Sequence, residues 1–449
     1  MTMYAPTSAG ILQALRRRLA PLRELRGPAV TDFPSAVGEV VVIASSSRGG
    51  SSMVAEMLRE SPSLLHLTAE FNPFLRLAGL DHPASGTGSD RLTADHVASL
   101  APDVLRMLGD ELARDAGCAV DRVDDETYAL DLAWRLAVQW PVLSFDPVRV
   151  ARTAQRVLAR VRARQDWAPG EIRDPGAVLL ALSRELTAQD IPVNPWFYDL
   201  PRARLAGAQP GPAAGRAPGD FLIEEPPFVL PRAWGRADAA DVRDKPLVIK
   251  TPSNVHRMDF LRALFPQARF RVLHLTRNPA AAVNGLYDGW LHSGFHAHRM
   301  TVPLGIEGYV EHGVDNRWWW KFDLPPGWRD YTDRPLLDVC AFQWRTSHRA
   351  VLDDLEQTGT DSMTLRFEDL IGSAEDRVGS FEKLSDWLGI PLEGTFRKAV
   401  YEGIEPVVAT ATPRGGRWRT RAALIEPALC PGTVEVAERL GYGDRTAWI

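Results

Sequence analysis

The chain has 449 residues, and its 52 lysines and arginines against 57 aspartates and glutamates give a formal net charge of −5, which excludes a globally basic protein that wraps nucleic acid. Hydrophobic residues make up 45% and charged residues 24% of the chain, the composition of a globular rather than a disordered protein. No apolar run approaches the ~18 residues of a membrane span, and Cys118, Cys340 and Cys430 show no CxxC spacing. We therefore predict a cytoplasmic protein with no disulfide scaffold, no structural zinc and no nucleic-acid partner.

The first predicted element is an N-terminal helix. From Ile11 to Leu25, apolar residues recur at helical spacing around the three consecutive arginines at 16–18. We predict a helical extension over residues 1–35 that packs on the rest of the protein. A contact with a membrane surface or a partner is the alternative.

Strands and helices then alternate along the chain. The β-branched run at 39–44 predicts a buried parallel strand, followed by a Ser/Gly loop and a helix. Helical spacing dominates 103–189, and a Pro/Gly/Ala-rich linker follows at 202–220. Further strands are predicted at 64–67, 246–250, 269–276 and 363–367. This order predicts an α/β fold with a doubly wound parallel sheet over residues 36–449, a P-loop-like strand-loop-helix, and a large helical insertion or cap at about 75–220.

The loop after the first strand is a candidate anion site. Its small residues allow backbone N–H groups to converge on an anion at the start of a helix, and Arg48 adds a full charge. The alternative is an ordinary glycine-rich turn with a serine helix cap. Neither GxxxxGK[ST] nor GxGxxG is present. The loop residues that we assign to the anion are Arg48, Gly49, Gly50, Ser51 and Ser52.

Two cationic residues end later strands. Arg277 follows the strand at 269–276 and Lys250 ends the strand at 246–250, at the carboxyl edge where open α/β sheets bind ligands. Lysine is rare here, since 47 of the 52 basic residues are arginine. A lysine at this position therefore predicts a need for a compact ammonium group. The alternatives are structural: Arg277 would form an ion pair with a nearby carboxylate, and Lys250 would extend its aliphatic chain so that its ammonium group reaches solvent.

Five blocks of sequence in this order resemble the PAPS-dependent sulfotransferases, in which PAPS is 3′-phosphoadenosine 5′-phosphosulfate and PAP is the product. They are SRGGSS between strand and helix, IKTP, FPQARFRVLHLTRNP, LRFEDL and a late Arg/Gly/Trp segment. The Lys-x-Pro element is similar to that of a bacterial branch of the family. The blocks cover about half of the chain, and the resemblance implies the family's fold and its sulfuryl transfer.

The resemblance also implies roles for individual residues. Arg48 to Ser52 would hold the 5′-phosphosulfate, with Arg48 also catalytic, and Arg277 would bind the 3′-phosphate. The serine that the family places eight residues after this arginine is Gly285 here, so a hydroxyl donor is missing. The late segment that closes over the nucleotide corresponds to Arg414, Gly415, Gly416 and Arg417.

Lys250 and Glu70 are the remaining predicted catalytic residues. The resemblance places Lys250 on the sulfuryl group and Glu70 as the base that takes the acceptor's proton. His256 and His292 are the competing bases. Sulfuryl transfer needs no metal ion, and we interpret the histidines of the HSGFHAH stretch (His292, His296, His298) as part of a polar loop rather than as metal ligands.

Aromatic residues crowd the segment at about 290–332. Ligand pockets favour aromatic walls, so we predict that this segment forms the acceptor side of the site, with Trp290, Phe295, Trp319 and Trp320 as substrate contacts. The predicted acceptor is a hydroxyl of a hydrophobic small molecule, a lipid or a carrier-bound acyl chain, as in secondary metabolism. A P-loop-like kinase or other nucleotide phosphotransferase, and a non-catalytic PAP-binding module, are the alternatives.

Overall fold

The computed structural model describes residues 8–27, 30–82, 86–208, 216–309, 317–410 and 414–448. Its strands are β1 (Glu39–Ala44), β2 (Leu65–His66), β3 (Gly117–Ala119), β4 (Trp234–Arg236), β5 (Leu247–Lys250), β6 (Arg269–Thr276), β7 (His296–Arg299), β8 (Trp319–Lys321) and β9 (Asp361–Arg366). Seven of them form one sheet in the order β4-β3-β2-β5-β1-β6-β9, and β7 and β8 form a separate antiparallel pair.

The centre of the large sheet is parallel, as predicted. β1 lies between β5 and β6, with Val40 opposite both Leu247 and Phe270. Five of the six β1 residues are buried because helices cover both faces of the sheet. The carboxyl ends of β1, β5 and β6 therefore meet at one edge, which brings the loop after β1, Lys250 and Arg277 together. The predicted α/β fold is confirmed.

Helices surround this sheet. They are α1 (Ser8–Leu25), α2 (Phe33–Ala36), α3 (Ser51–Leu58), α4 (Asn72–Leu77), α5 (Ala94–Ala98), α6 (Pro102–Asp115), α7 (Asp125–Gln139), α8 (Pro147–Gln165), α9 (Pro175–Thr187), α10 (Ala239–Asp244), α11 (Met258–Leu264), α12 (Pro279–Leu291), α13 (Leu336–Thr358), α14 (Phe367–Ile371), α15 (Ala374–Leu388), α16 (Gly394–Glu402), α17 (Ala422–Ala428) and α18 (Pro431–Arg439). Within the described ranges, no helix is long and apolar enough to cross a membrane.

The segment at 75–220 is not wholly helical, which corrects the sequence prediction. It contains the second half of α4 and all of α5 to α9, but it also contributes β3 to the central sheet, antiparallel to β2 and β4. The three residues of β3 (GCA) are too few to show a period of two. Part of the predicted linker at 202–220 is a 3₁₀ helix, Arg202–Leu205, and residues 209–215 lie outside the described residues.

The N-terminal helix packs on the domain as predicted. Leu15, Leu19 and Leu22 are buried within the main hydrophobic core, which also includes residues of α7 and α8. Arg18 donates to the backbone carbonyls of Ala137 and Pro141, at the end of α7. The inner face of α1 therefore belongs to the core, while Ile11 and Leu12 are half-buried and Leu25 is exposed.

The segment at 290–332 builds a second core rather than an open wall. Trp290 and Trp320 are wholly buried there. Their rings meet edge to face at 5.3 Å between centroids. His296 and His298 are buried in β7, so this stretch is a strand and not a polar loop, which corrects the prediction. Residues 310–316 of this segment lie outside the described residues.

Candidate active site

The loop between β1 and α3 is shaped by two glycines. Gly50 has a φ of +103°, and a Cβ on it would lie 2.1 Å from the Phe367 ring. A Cβ on Gly49 would lie 2.2 Å from the Ser45 hydroxyl. No other residue fits either position without moving its neighbours, so both glycines are needed for this turn.

Serine hydroxyls line the inside of this loop. Those of Ser45 and Ser46 are buried and have no hydrogen-bond partner among the described residues. Ser47 donates to the buried carboxylate of Asp323 at 2.8 Å, which fixes the loop to the second core. Buried hydroxyls without partners cost free energy unless a ligand or water bonds them. The loop therefore fits an anion that brings several acceptor oxygens.

Arg48 lies at the turn of the loop, with a φ of +62°. Its guanidinium donates to the carbonyl of Val408 at 2.8 Å and to the Thr410 hydroxyl at 3.3 Å. Its Cζ lies 5.0 Å from the centre of the Phe295 ring. The side chain therefore joins the loop after β1 to the segment before the late arginines.

Arg277 lies directly beside Arg48. Its Nη1 donates to the Arg48 carbonyl at 3.0 Å, and its Cζ lies 4.7 Å from the centre of the Phe367 ring. The next residue, Asn278, caps α12 through the Ala281 amide at 2.9 Å. Its own amide donates to the Glu368 carboxylate at 2.8 Å. These bonds fix where the strand ends, and they give Glu368 a structural part.

Three arginines crowd this edge of the sheet. Burial lowers the pKa of Arg48 to about 10, and repulsion by Arg277 and Arg417 acts in the same direction, with Asp288 opposing it. Burial also lowers the pKa of Arg277 to about 10, where Arg417 again repels and Glu368 opposes. Buried cations that repel one another are stabilised by a bound anion. The cluster therefore fits a ligand with more than one negative group.

Gly285 lies against both buried arginines. A Cβ on it would lie 3.4 Å from the Arg48 Cβ and 3.8 Å from the Arg277 Nη1. The expected serine would thus fit, and its position is beside Arg277 as the resemblance implies. Gly285 leaves this space without a side chain, and the polar residues Asn284 and Asp288 are close to it on α12.

The late basic segment is tied to α12 by its arginines. Arg417 donates to Asp288 at 2.6 Å, and Arg421 donates to both Asp288 and Asn284, at 2.6 and 2.7 Å. Arg421 was not predicted, although it belongs to the same arginine-rich run as Arg417. Arg414 and Gly415 are exposed, and Gly416 has a φ of +67° immediately before the 3₁₀ helix Arg417–Arg421.

Lys250 and Glu70 form an ion pair at the other side of the loop. The Lys250 ammonium group donates to Glu70 and also to the Ser52 hydroxyl, at 2.9 Å for the serine. The Thr251 hydroxyl accepts the amide of Phe71 at 2.7 Å, which fixes the chain on both sides of the pair. The side chain of Glu70 is 34% exposed and that of Lys250 is 14% exposed. A substrate can therefore reach the carboxylate while the ammonium stays inside.

A cavity of about 790 Å³ opens beside Arg48. Phe295, which contacts the Arg48 guanidinium, is part of its wall. Three stretches of chain supply most of the wall, namely 196–202, 291–295 and 405–409. The wall is mixed: it has aromatic rings and prolines, and it also has the polar side chains of Asp199, Arg202, His292 and Glu405. The cavity is large enough for a drug-sized or acyl ligand.

Of the four predicted aromatic contacts, only Phe295 lines this cavity. Trp290 donates to Gln343 at 2.9 Å and Trp320 donates to the Asp323 carbonyl at 2.9 Å, so both belong to the second core, which corrects their prediction. Trp319 lines a smaller cavity with Arg299.

A profile of the sulfotransferase family matches residues 40–307, more than half of the chain. The chain belongs to the sulfotransferase family. The matched region contains the loop after β1, Glu70, Lys250, Arg277 and Gly285. No curated protein matches the chain.

Three of the solved structures that are similar to this chain are sulfotransferases or sulfotransferase domains. The sulfotransferase domain from the Synechococcus PCC 7002 olefin synthase is 15% identical, with a TM-score of 0.37, over 90% of this chain and 95% of that chain. The sulfotransferase domain from the curacin biosynthetic pathway is 13% identical, with a TM-score of 0.37, over 90% and 98%. Sulfotransferase STF9 from Mycobacterium avium is 12% identical, with a TM-score of 0.35, over 96% and 81%.

The histidines of this sulfotransferase have different surroundings. Burial lowers the pKa of His292 to about 4, helped by repulsion from Lys321 and Arg48. The His292 Nδ1 accepts the Gly294 amide at 3.0 Å. His292 is thus a weak base with one nitrogen already bonded. His256 lies 3.8 Å from the buried Asp323.

One cluster has a geometry that suits a metal ion. Ligand atoms of Asp81, Asp90 and His298 lie within 4.8 Å of one another. Arg257 already donates to Asp90 at 2.8 Å and Arg76 pairs with Asp81 at 3.3 Å. Arg76 also pairs with Glu225 at 2.7 Å, so the two carboxylates of the cluster belong to a larger network of buried ion pairs.

Most residues that line the cavity were not predicted from the sequence. Trp196, Asp199 and the stretch 405–409 line the cavity but belong to segments without a periodic pattern. The sequence does carry one hint, since three aromatic residues and an acid (WFYD) come just before a proline-rich linker.

Proposed function

We propose that the protein transfers the sulfuryl group of PAPS to a hydroxyl group of a hydrophobic acceptor. One observation carries the proposal: the Lys250 ammonium donates both to Ser52 of the anion loop and to Glu70. The same loop contains Arg48, whose carbonyl accepts a hydrogen bond from Arg277. A candidate base, a compact cation and a candidate anion loop at the carboxyl edge of the sheet support the proposal.

The residues present fit a bisphosphorylated nucleotide. The unpartnered hydroxyls of Ser45 and Ser46 and the glycine turn would hold the 5′-phosphosulfate at the start of α3. Arg277 would bind the 3′-phosphate, with Arg417 next to it supplying charge where Gly285 lacks a hydroxyl. Charged donors would thus take the place of one neutral donor, and charge-assisted hydrogen bonds are the stronger kind.

The transfer step uses few protein groups. Glu70 accepts the proton of the acceptor hydroxyl as its oxygen bonds to sulfur, and the bond from sulfur to the phosphate oxygen breaks. Lys250 and Arg48 stabilise the negative charge that grows on the bridging and leaving oxygens. PAP leaves with the electron pair of the broken bond. Positioning and charge stabilisation dominate, as in phosphoryl transfer.

The acceptor would enter through the cavity beside Arg48. The aromatic rings and prolines in its mixed wall would contact the hydrophobic body of a small molecule, a lipid or an acyl chain on a carrier. We place the reaction in the cytoplasm, where the three unpaired cysteines are stable as thiols.

The proposal is tested with purified protein, PAPS and a panel of long-chain and aromatic alcohols, with PAP release followed by chromatography and sulfated product by mass spectrometry. We expect both products in equal amounts, with an undiminished rate in excess chelator. Turnover of ATP that chelator abolishes would favour the kinase alternative. Binding of PAP without turnover of PAPS on any acceptor would favour the non-catalytic module.

A further inference from the structure

Helix α8 carries an uninterrupted row of exposed arginines. Its 19 residues include six arginines and no acidic residue. Five of the six are exposed and follow one another every three or four positions: Arg149, Arg152, Arg156, Arg160 and Arg164. At ~3.6 residues per turn they fall within an arc of about 120° and extend over about 22 Å. We call these five side chains the arginine row.

The row stands out against the charge of the whole chain. The neighbouring α1 has four arginines and one glutamate, so α1 and α8 together carry +9. Since the chain as a whole carries −5, the rest carries −14. The preference of this chain for arginine over lysine explains the residue type, but it does not explain why acidic residues are missing.

The row also costs helix stability. Arg152, Arg156, Arg160 and Arg164 are spaced four residues apart, and like charges at this spacing repel each other in a helix. Only Arg160 has an ion-pair partner among the described residues, Glu185 at 2.7 Å. A helix that keeps such repulsion on its exposed face is suited to an external anion.

The surface between the arginines indicates the kind of partner. The exposed residues there are Gln155, Ala159 and Ala163, with no aromatic or large apolar side chain. The apolar residues of α8, such as Val157 and Leu158, are buried in the core. A protein interface needs large anchors at its centre, and single-stranded nucleic acid needs aromatic stacking. Attraction to a charged membrane surface needs only cations within a Debye length of about 10 Å.

We propose that the arginine row binds the surface of an anionic lipid bilayer. The contact is electrostatic and peripheral, because the apolar faces of α1 and α8 are both buried. It would hold the protein where acceptors with hydrophobic bodies accumulate. The proposal goes beyond sulfuryl transfer and does not depend on it, since binding to lipid can be measured without PAPS or an acceptor.

The test is co-sedimentation of the full chain with two kinds of vesicles, pure phosphatidylcholine and an equal mixture of phosphatidylcholine and phosphatidylglycerol. We expect binding to the mixed vesicles only, and its loss when salt rises from about 0.05 M to about 0.5 M. The triple variant Arg152→Gln, Arg156→Gln, Arg164→Gln should bind about a hundredfold more weakly, since each arginine is worth about fivefold.

A matched control removes the same charge elsewhere. Arg91, Arg334 and Arg397 are exposed, and their triple change to glutamine should leave lipid binding within about twofold of the wild type. The α8 variant should melt no earlier than the wild type, because it loses like-charge pairs. Equal binding to neutral vesicles, or equal loss in both triple variants, would overturn the proposal. So would binding to polyglutamate or duplex DNA without binding to anionic vesicles.

Discussion

Gly285 is the position where the resemblance to the family implies a serine beside the proposed nucleotide site. The structure leaves room for a side chain there, since the nearest atom to a Cβ would be at 3.4 Å. The two arginines that reach α12 nearby, Arg417 and Arg421, are held by Asp288. Under the proposed function, these two cations would take the place of the hydroxyl that Gly285 lacks.

Restoring the hydroxyl should strengthen nucleotide binding. We expect Gly285→Ser to tighten PAP binding about two- to tenfold in calorimetry, the worth of one hydrogen bond of ~0.5–1.5 kcal/mol. Gly285→Ala is the control, because it fills the same space without a donor. If both variants bind PAP equally well, the position does not face the 3′-phosphate.

Lys250 should matter more for the rate than for binding. Because charge on the transferring group grows in the transition state, Lys250→Ala should lower kcat by ~10²–10³ while PAP affinity changes much less. Lys250→Arg should not restore the rate, since a planar fork does not replace a compact ammonium. Lys245→Ala, next to the same strand, is the control. A fully active Lys250→Arg would show that any cation suffices.

Glu70 should be the base. Glu70→Gln keeps the shape and loses the basicity, so turnover should fall by ~10²–10⁴ with PAP affinity intact. Glu60→Gln removes a carboxylate just after α3 and should have no such effect. Near-normal turnover of Glu70→Gln together with an inactive His256→Ala or His292→Ala would assign the base to a histidine.

At the scale of elements, the loop between β1 and α3 is the part of the site most constrained by its backbone. Gly50 combines a φ of +103° with an aromatic ring 2.1 Å from where its Cβ would be. Its neighbours cannot retreat, because Phe367 begins α14 and its ring stacks on Arg277. The same ring therefore supports both the turn and the cation.

Gly50→Ala should damage stability and nucleotide binding together. We expect the free energy of unfolding to fall by at least ~2 kcal/mol, from the strained φ and the overlap with the ring. Gly379→Ala is the matched control: it lies inside α15 with nothing within 4 Å of its Cβ position, and it should gain ~0.5–1 kcal/mol. Chemical denaturation measures the stability of each variant, and titration with PAP measures its nucleotide affinity. If Gly50→Ala kept the stability and the PAP affinity of the wild type, the loop would be able to adopt another turn.

How far the sequence predicts these elements depends on the signal that each carries. β1, β5 and β6 are apolar runs with cations or glycines at their ends, so both the sheet and the anion edge were predictable. β3 is three small residues, and it becomes a strand only because β2 and β4 lie beside it. Trp290 and Trp320 were assigned to a pocket because composition alone does not distinguish a tryptophan in a wall from one in a core.

At the scale of the whole molecule, one buried lysine should shape the dependence of stability on pH. Lys321 is wholly buried in β8, and it donates to the carbonyl of His292. Burial lowers its pKa from 10.5 to about 7. Between these values the unfolded chain holds a proton that the folded chain has lost. The stability of the fold therefore rises with pH from about 7 towards 10.5, by up to ~1.4 kcal/mol per pH unit from this group.

Lys321→Met should remove this dependence. We expect the variant to have a higher free energy of unfolding than the wild type, with the largest difference at and below pH 7. Urea denaturation at a series of pH values measures this difference. The gain should shrink steadily as pH rises above 7. Subtracting the two curves cancels the other groups that titrate in this range. Parallel curves from pH 7 to 9.5 would show that Lys321 keeps its proton in the folded state.

The position of β1 in the sheet also bears on how the protein is made. Its strand partners are β5 and β6, and Val40 pairs with Leu247, 207 positions further along the chain. At ~5–20 residues per second, the ribosome exposes this apolar strand for roughly ten seconds or more before either neighbour emerges. Pairing over so long a separation is slow, so nascent chains need protection from aggregation during that interval. Fragments that end before β6 should accordingly be insoluble and unable to bind nucleotide, although they contain the entire loop after β1.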